Sequence, residues 1–468
     1  MMRGIVCSIG EISASGTKEY VLLTEDLGIL SFDSPNAIAL GAEANYDGES
    51  ISEEKTEHAA KYVEKFRAKM TKLAGRKLAK RGVKALDDAS ASMQGKLRAA
   101  AALFLTKLFL RAPIVVRFHN DADGSSGAYC LYKAIGALFA EETDDPRMES
   151  RIAWRMQQGI AYSKYDALDD IVFSRSCESI EKPLLLVIDF GTSEESNYGL
   201  ERLADRFDVI WLDHHPMVED FKGLSLEHYI NPWNFGADSN YTAGYLACTF
   251  ARTFSDIDTH DMEQASMIGD YSIYVKPDES SSKMSEVLDL LTSDKRVAFP
   301  AGGGNLTPSE IDYVLSNKKR CDELLRYAKT TMNEALDTAL STVKTYKAGG
   351  ALIYVVDFKS IRGEREIKYP LPGRFASKFL DRITALNEKP CIAVVHFSRY
   401  ISIRCGKNTA NLTNMVREIR KEYEGMVEAA GGHSSAASIK LSTDENKKDI
   451  INAVIEKLKN ASGSFKND

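Results

Sequence analysis

Four short segments of this chain combine residue types that could hold metal ions. They are HNDADG, VIDFG, LDHHP and MIGDYS, and they occur in this order along the sequence. Their candidate ligands are His119, Asp121 and Asp123 in the first, Asp189 in the second, Asp213, His214 and His215 in the third, and Asp270 in the fourth. Carboxylates with a few imidazoles suit divalent Mn, Mg or Zn.

Three of these segments follow apolar runs, PIVVRF, LLLVI and DVIWL, which carry no charge at their centres except Arg117. Such runs are typical of buried strands in a parallel sheet, whose carboxyl ends are where ligands bind. A single DxD or His-His is usually a turn or a solvated loop. Four such segments in order, three of them at strand ends, predict that their side chains meet in one crevice. Carboxylates clustered there repel one another and need bound cations.

The pattern of elements predicts an α/β protein. Strand and helix alternate over residues 112–270, which indicates a doubly wound parallel sheet. We divide the chain into a small antiparallel β extension (1–50), a basic helical segment (51–111), a catalytic domain with a helical insert and linker (112–345), and a smaller C-terminal α/β domain (346–468). The linker should be one long helix from Pro308 to about Val343.

Composition excludes several classes of protein. The chain has 468 residues and is 44% hydrophobic, yet no apolar run approaches the roughly 20 residues that span a bilayer. The first residues lack the apolar core of a signal peptide. Seven cysteines are scattered without a CxxC pair, which favours a reducing cytoplasm and no zinc finger. We therefore expect a cytoplasmic protein with no membrane partner.

Charge is distributed unevenly. The net charge is −7, but residues 347–468 alone carry a balance of +7. The run from Lys61 to Lys84 contains ten basic residues and one acidic residue, Glu64. A run of this kind is either a nucleic-acid patch or a solvated helix face, and both interpretations stay open.

Taken together, the four segments resemble the motifs of the DHH phosphoesterase superfamily. Further on, AAGGHSSAASIKL resembles the glycine–histidine motif of the C-terminal domain that accompanies DHH domains (DHHA1-like), and SIR resembles that domain's phosphate-binding strand. The resemblance covers about residues 112–468 and is strongest to archaeal RecJ-like nucleases, including the GINS-associated type. The first 110 residues have no counterpart in it.

The resemblance implies a site with two divalent ions, Mn²⁺ with Mg²⁺ as the alternative. The implied metal ligands are His119, Asp121, Asp123, Asp189, His214 and Asp270, with Asp189 bridging both ions. The implied catalytic residues are Asp189, Asp213 and His215, with Asp213 orienting the imidazole of a metal ligand. The implied substrate-binding residues are Ser402, Arg404, Gly431, Gly432 and His433. Such paired ions activate water and stabilise charge on the attacking and leaving oxygens.

Three hypotheses about function follow. The first is a metal-dependent exonuclease that releases mononucleotides from single-stranded DNA or RNA in repair or replication. The second is a phosphodiesterase for short oligonucleotides, or a phosphatase for bisphosphorylated nucleotides. The third is a structural subunit of a replication complex that binds GINS-type proteins. All the implied ligands are present, so the sequence favours an active hydrolase.

Overall fold

The computed structural model consists of two compact units, which are described separately. The first comprises Met1–Leu288 and Asn305–Tyr313, and the second Asp289–Gly304 and Val314–Asp468. The predicted division into four parts stays a prediction. The structure describes residues 2–462 except 13, 25–28, 36, 49–50, 54–58, 80–86, 143–145, 178, 276, 364–366, 407–408 and 433.

The first unit begins with a five-stranded antiparallel sheet in the order β3-β2-β1-β4-β5. Phe32 on β3 stacks on Tyr20 of the neighbouring β2, and also on Tyr46 of β4, with ring centroids 5.8 and 5.7 Å apart. Two strands separate β3 from β4, so the sheet must curl strongly to bring these rings together. The strands are Met2–Ile12, Lys18–Thr24, Ile29–Ser34, Glu43–Tyr46 and Ile51–Glu53.

Two helices follow, α1 (Ala59–Ala79) and α2 (Asp88–Phe109). Helix α1 is amphipathic, because Phe66, Met70 and Leu78 are buried while Arg67, Lys69, Lys72 and Arg76 are exposed. Helix α2 begins with a capping box between Asp87 and Ser90. Residues 80–84 of the predicted basic run lie outside the described residues.

A five-stranded parallel sheet in the order β10-β9-β8-β6-β7 forms the centre of the first unit, as the sequence predicts. Strand β8 is buried along its whole length. The strands are β6 Ile114–His119, β7 Ile152–Gln157, β8 Leu184–Ile188, β9 Asp208–Leu212 and β10 His228–Ile230. The helices are α3 Ala122–Glu142, α4 Lys164–Ser176, α5 Asn197–Leu203, α6 Ala243–Arg252, α7 His260–Gly269 and α8 Glu279–Ser293.

Arg117 is the one charged residue within the buried run of β6, and α4 supplies its partners. Its guanidinium donates to both carboxylate oxygens of Asp170 at 2.7–3.1 Å and to Asp166 Oδ1 at 3.1 Å. Gln157 accepts a further bond at 3.1 Å. A buried charge is tolerated when it is paired and hydrogen-bonded in this way. Arg117 therefore has a structural role, joining α4 to the sheet.

The second unit contains a six-stranded mixed sheet in the order β11-β12-β13-β14-β16-β15, as expected for a smaller α/β domain. The apolar runs at 351–356, 391–397 and 400–404 predict β12, β13 and β14, but the sequence does not predict β11, β15 or β16. The strands are β11 Lys344–Ala348, β12 Ala351–Asp357, β13 Cys391–Phe397, β14 Tyr400–Cys405, β15 Val427–Gly432 and β16 Ala436–Leu441. Its shorter helices are α11 Phe358–Arg362, α12 Pro372–Ala385, α13 Leu412–Glu422 and α14 Lys447–Ser462.

The single long helix predicted from Pro308 to Val343 is wrong. Two helices take its place, α9 (Pro308–Ser316) and α10 (Lys318–Thr342). Asn317 lies between them with extended backbone, and its side chain accepts a hydrogen bond from the Arg320 amide. Asparagine is a strong N-cap, so it starts a new helix rather than continuing the old one. Within the described part of the chain, no helix is long and apolar enough to cross a membrane.

Candidate metal centre

The carboxyl ends of three neighbouring parallel strands bring the predicted ligands together. His119 ends β6, Asp189 directly follows β8, and Asp213 directly follows β9. Asp270 reaches the same place from the C-terminal end of α7, where it is the residue that ends the helix. The chain reverses its strand order between β6 and β8, and such a reversal opens a crevice at the carboxyl edge of a sheet.

Asp189 lies at the centre of the cluster and is 2% exposed. Its Oδ2 is 3.6 Å from His119 Nδ1, which is itself 2.6 Å from Asp121 Oδ2. Its Oδ1 is 3.3 Å from His214 Nε2. One carboxylate therefore faces two groups of possible ligands, one with each oxygen.

His214 supplies the second group. Its Nε2 lies 3.1 Å from Asp270 Oδ2 and 3.6 Å from Asp123 Oδ2, besides its approach to Asp189. Three overlapping sets of side chains could each hold an ion: Asp189, Asp213, His214 and His215; His119, Asp121 and Asp189; and Asp123, His214 and Asp270. The structure thus brings all six predicted metal ligands into one cluster.

The chemistry of the donors fits a divalent cation. His214 Nδ1 is 2.8 Å from the carbonyl oxygen of Ser239, so this nitrogen must carry a proton and donate it. In the neutral imidazole the lone pair is then on Nε2, facing three carboxylates. Asp189 Oδ2 is also buried and accepts no hydrogen bond from the described residues. Such an arrangement of acceptors is stable only with a cation among them, either a proton or a metal ion.

The ionisation of the cluster reflects crowding of like charges. Burial and the neighbouring Asp123 and Asp121 raise the pKa of Asp189 well above its usual value. Burial and the charge of Asp270 raise the pKa of Asp123 to about 6. Burial alone would lower the pKa of His214, but its bonds to Asp189 and Asp270 raise it well above the ordinary value. Without metal, the cluster retains protons in place of metal ions.

This leads to a prediction about stability and pH. Metal-free protein should lose stability as pH rises from about 4 to 7, because folded Asp123, with a pKa of about 6, holds a proton that the unfolded chain, near 3.8, has released. Ionisation of that one group should lower the free energy of unfolding by roughly 3 kcal/mol. Burial would raise the pKa of Asp121 and Asp213, but their histidine partners lower it, so their contribution is lost only below about pH 4.

The measurement is the thermal midpoint in EDTA and in Mn²⁺ at pH 5 and pH 8. Because metal competes with protons for the same carboxylates, the increase caused by Mn²⁺ should be larger at pH 8. If Mn²⁺ raised the thermal midpoint at pH 8 by no more than at pH 5, the cluster would not be exchanging protons for metal ions.

Asp123 is anchored by residues that the sequence did not point out. It is fully buried, and it accepts bonds from the amides of Ala243 at 3.0 Å and Gly244 at 2.8 Å, at the first turn of α6. Ser266 Oγ donates a third. A Cβ on Gly244 would come within 2.7 Å of Asp123 Oδ1, so only glycine permits this approach. The sequence Thr-Ala-Gly at 242–244 is recognisable as the start of a helix, but it gives no indication that Asp123 is its partner.

Asp213 and His215 form a pair beside the cluster. His215 Nδ1 lies 2.8 Å from Asp213 Oδ1, and the same oxygen accepts the His214 amide at 2.8 Å. Thr192 Oγ1 donates to the other oxygen. Asp213 is fully buried, whereas the side chain of His215 is 33% exposed. Asp213 therefore fixes the ring of His215, whereas the ring of the predicted ligand His214 is held by the Ser239 carbonyl. The orienting role expected for Asp213 beside a ligand imidazole thus falls on a different ring.

In the second unit, strand pairing groups the predicted substrate-binding residues. Ser402 on β14 pairs with Ser438 on β16, which pairs in turn with Gly431 on β15. Arg404 lies two residues along β14, where Nε donates to Ser377 Oγ at 3.1 Å. Gly432 has φ +134°, and a Cβ there would lie 2.3 Å from the Ala436 carbonyl. His433, the fifth predicted residue, lies outside the described residues.

With this geometry established, comparison with known proteins identifies the fold. No family model matches the chain. A solved structure described as the DHH domain of a member of a family of ribosomal proteins aligns with a TM-score of 0.71 and 20% identity, covering 88% of this chain and 99% of that one. The chain has the fold of a DHH domain. This confirms the predicted fold class, a DHH sheet followed by a second α/β domain.

Two other likenesses accompany the DHH fold. An uncharacterised protein of Methanocaldococcus jannaschii is 24% identical over 401 residues, which are 74% of this chain and 52% of that protein. The chain thus spans about half the length of the curated relative it matches. A structure of RecJ from Thermus thermophilus in complex with Mn²⁺ aligns with a TM-score of 0.49 and 15% identity, covering 80% of this chain and 55% of that one.

Proposed function

We propose that this protein is a metal-dependent phosphodiesterase that acts on single-stranded DNA or RNA as an exonuclease and releases mononucleotides. One observation carries the proposal: three carboxylates and two imidazoles converge around the carboxylate of Asp189 at the carboxyl ends of three parallel strands. This set of hard oxygen donors with imidazoles is suited to a pair of Mn²⁺ ions, with Mg²⁺ as the alternative.

The residues would divide the work as follows. His119, Asp121, Asp123, His214 and Asp270 would hold the ions, and Asp189 would bridge them. Bound divalent ions supply Lewis-acid stabilisation of a phosphoryl group and a reactive water. His215, oriented by Asp213, would present Nε2 to a phosphate oxygen or to the leaving group. Because Nδ1 of that ring is committed to Asp213, Nε2 is the nitrogen that can exchange a proton with the substrate.

In the second unit, Ser402, Arg404, Gly431 and Gly432 would bind phosphate groups of the substrate, together with His433. Arginine suits this task because its planar fork of donors matches phosphate oxygens. The glycines leave the backbone of β15 open to close approach. The strand pairing supports this assignment, because it aligns Ser402 on β14, Ser438 on β16 and Gly431 on β15 in one row across the sheet.

The basic helix α1 is not beside the metal centre. Arg67 pairs with Glu181 at 2.6 Å, three residues before the start of β8, and Glu181 also pairs with Lys107 at 3.2 Å. Lys107 reaches Asp208, the first residue of β9, at 2.8 Å. These contacts lie at the amino ends of the strands, whereas the cluster lies at their carboxyl ends, about 17–20 Å away for strands of this length.

Four exposed cations form one row on α1, at spacings of three and four residues: Lys65, Lys69, Lys72 and Arg76. Among the described residues, none forms an ion pair with these four. A row of this kind can contact the phosphates of a long strand but cannot touch a dinucleotide held at the cluster. A strand bound at the cluster would have to pass from the carboxyl ends to the amino ends of the sheet to reach this row. The position of α1 therefore favours the second candidate function, a phosphodiesterase for short oligonucleotides.

Changing all four cations to glutamine separates the two functions. If a long strand follows α1, the slope of log affinity against log salt should flatten by up to about 2.8, at about 0.7 for each phosphate that is no longer neutralised. Fluorescence anisotropy with a labelled single strand at several salt concentrations measures it. The control is the same charge change at exposed Lys318, Lys319, Arg326 and Lys329 on α10. An unchanged slope, or an equal change in the control, would show that α1 is a solvated face.

The experiment that tests the proposed function is digestion of end-labelled single strands, DNA and RNA, with Mn²⁺ and with EDTA. A ladder of products shortened from one end, formed only with metal, is the expected result. Cleavage of dinucleotides alone would support the second candidate. No cleavage of any strand would contradict both.

The finer assignment remains part of the proposal. From its motifs we infer a RecJ-like enzyme of the archaeal type, acting in the cytoplasm in DNA repair or replication, with GINS-type proteins as partners. The chain spans about half the length of its curated relative, so the activity and partners of the whole protein are proposals as well.

A further inference from the structure

Exposed aromatic side chains border the metal centre. Trp233 is 40% exposed, Tyr271 48% and Tyr274 45%, and the neighbouring Ile273 is 57% exposed. Single exposed apolar residues are ordinary on protein surfaces. These residues are different because they fall in two short segments that both contact ligands of the cluster.

Trp233 is held against His214. Its indole Nε1 donates to the His214 carbonyl at 3.2 Å and to Ser239 Oγ at 3.1 Å. Ser239 Oγ donates to the same carbonyl at 2.7 Å, and its own carbonyl accepts from His214 Nδ1. The indole is thus held by its Nε1 edge next to a predicted metal ligand, while 40% of the residue remains exposed.

The second segment begins at Asp270 itself. Tyr271 follows this ligand directly and has φ +55°, a left-handed conformation that bulky residues rarely adopt. Ser272 Oγ donates to the Asn240 carbonyl at 2.7 Å, and the Ile273 amide donates to Asn240 Oδ1 at 3.0 Å. The ring of Tyr274 lies 4.8 Å from that of Tyr241.

Residues 239–241 therefore join the two segments. Ser239 binds Trp233 and His214, while Asn240 and Tyr241 bind the segment that follows Asp270. The rings of Trp233 and Tyr274 are consequently held in place relative to the cluster, and Tyr271 adjoins its ligand Asp270 in the chain, so together they can act as a preorganised surface at low entropic cost.

We propose that Trp233, Tyr271 and Tyr274 stack on the bases that flank the bond to be cleaved, which makes nucleotides, rather than inorganic polyphosphates, the substrate class of this centre. The inference rests on the proposed function. Every base has a π-face, so stacking holds nucleotides without regard to sequence. A chain of phosphates alone offers these rings nothing to contact. An exonuclease needs such sequence-independent binding, because it must accept each successive nucleotide.

The test compares two substrates, a dinucleotide and the same phosphodiester with both bases removed. The wild-type protein with Mn²⁺ should have a kcat/KM at least about tenfold higher for the dinucleotide, mainly through KM. In Trp233→Leu and Tyr274→Leu this preference should fall towards one. Tyr327→Leu, at a 39% exposed ring on α10, is the matched control and should retain the preference.

Trp233→Phe separates stacking from support of His214, because phenylalanine keeps an aromatic face and loses the indole N–H. It should retain most of the preference for the dinucleotide. If Trp233→Phe behaves like Trp233→Leu, the rings only support the cluster and the inference is wrong. The same conclusion follows if the leucine variants lose activity equally towards both substrates. Equal cleavage of both substrates by the wild type would also overturn it while leaving the proposed function intact. Cleavage of neither substrate, by protein that also fails to shorten an end-labelled single strand, would instead contradict the proposed function.

Discussion

Asp189→Asn should abolish hydrolysis, lowering kcat by at least about 10³-fold. Asparagine has nearly the same shape, but it cannot present two negatively charged oxygens to the two groups of ligands that Asp189 faces. Turnover of a dinucleotide and the amount of bound Mn²⁺ are the measurements. The fold should survive the change, since burial and neighbouring carboxylates raise the pKa of Asp189 and make its charge unfavourable in the absence of metal.

Asp205→Asn is the matched control for this variant. Asp205 also has a left-handed backbone, with φ +61° against +69° for Asp189, but it is exposed and lies between α5 and β9. It should keep full activity, so that a loss in Asp189→Asn cannot be attributed to backbone strain. Normal turnover with normal metal content in Asp189→Asn would exclude a bridging role.

Asp213→Asn should lower kcat by about 10²-fold while changing Mn²⁺ affinity much less. His215 Nδ1 and the His214 amide both donate to Asp213 Oδ1, and an asparagine can offer an NH₂ group there instead. The ring of His215 would then lose its fixed orientation and its preferred tautomer. Steady-state kinetics and Mn²⁺ calorimetry on the same preparation separate the two effects.

Asp213 also belongs to one of the sets of side chains close enough to hold an ion. A fall in Mn²⁺ affinity as large as the fall in kcat would therefore identify Asp213 as a direct ligand. Thr192→Val gives an intermediate case, because it removes one bond to Asp213 and leaves the carboxylate in place. Its loss of kcat should be smaller, with Mn²⁺ affinity unchanged.

The centre of the site could be predicted because it depends on local patterns. Asp121, Asp189 and Asp213 follow apolar runs, and parallel strands place such positions at one edge. The supports of the site could not be predicted in this way. Asp123 binds residues about 120 positions further on, and Trp233 lies in a segment with no periodic pattern. These contacts depend on tertiary packing, which sequence spacing does not encode.

The fold shows the same division. The apolar runs of β6, β8 and β9 predict strands, whereas β15 and β16 lie in a stretch of Ala, Gly and Ser with little hydrophobic signal. The break at Asn317 was missed because Lys318, Lys319 and Arg320, which follow it, are good helix formers. For α1, the sequence predicts a cationic helix but not its position, which Arg67 and Glu181 determine across 114 residues.

The bonds between Asp123 and the first turn of α6 also bear on how the chain folds. They close a loop of about 120 residues that contains β7, β8, β9 and β10. The ligands of the cluster come from β6, from the ends of β8 and β9 and from the end of α7, so the complete set needs all of these elements in place. Contacts between residues so distant in sequence form late, because loop closure must precede them. A nascent or truncated chain would lack the complete set of ligands. Metal uptake would then report that folding of this unit is complete, and an unfinished chain would lack the proposed activity.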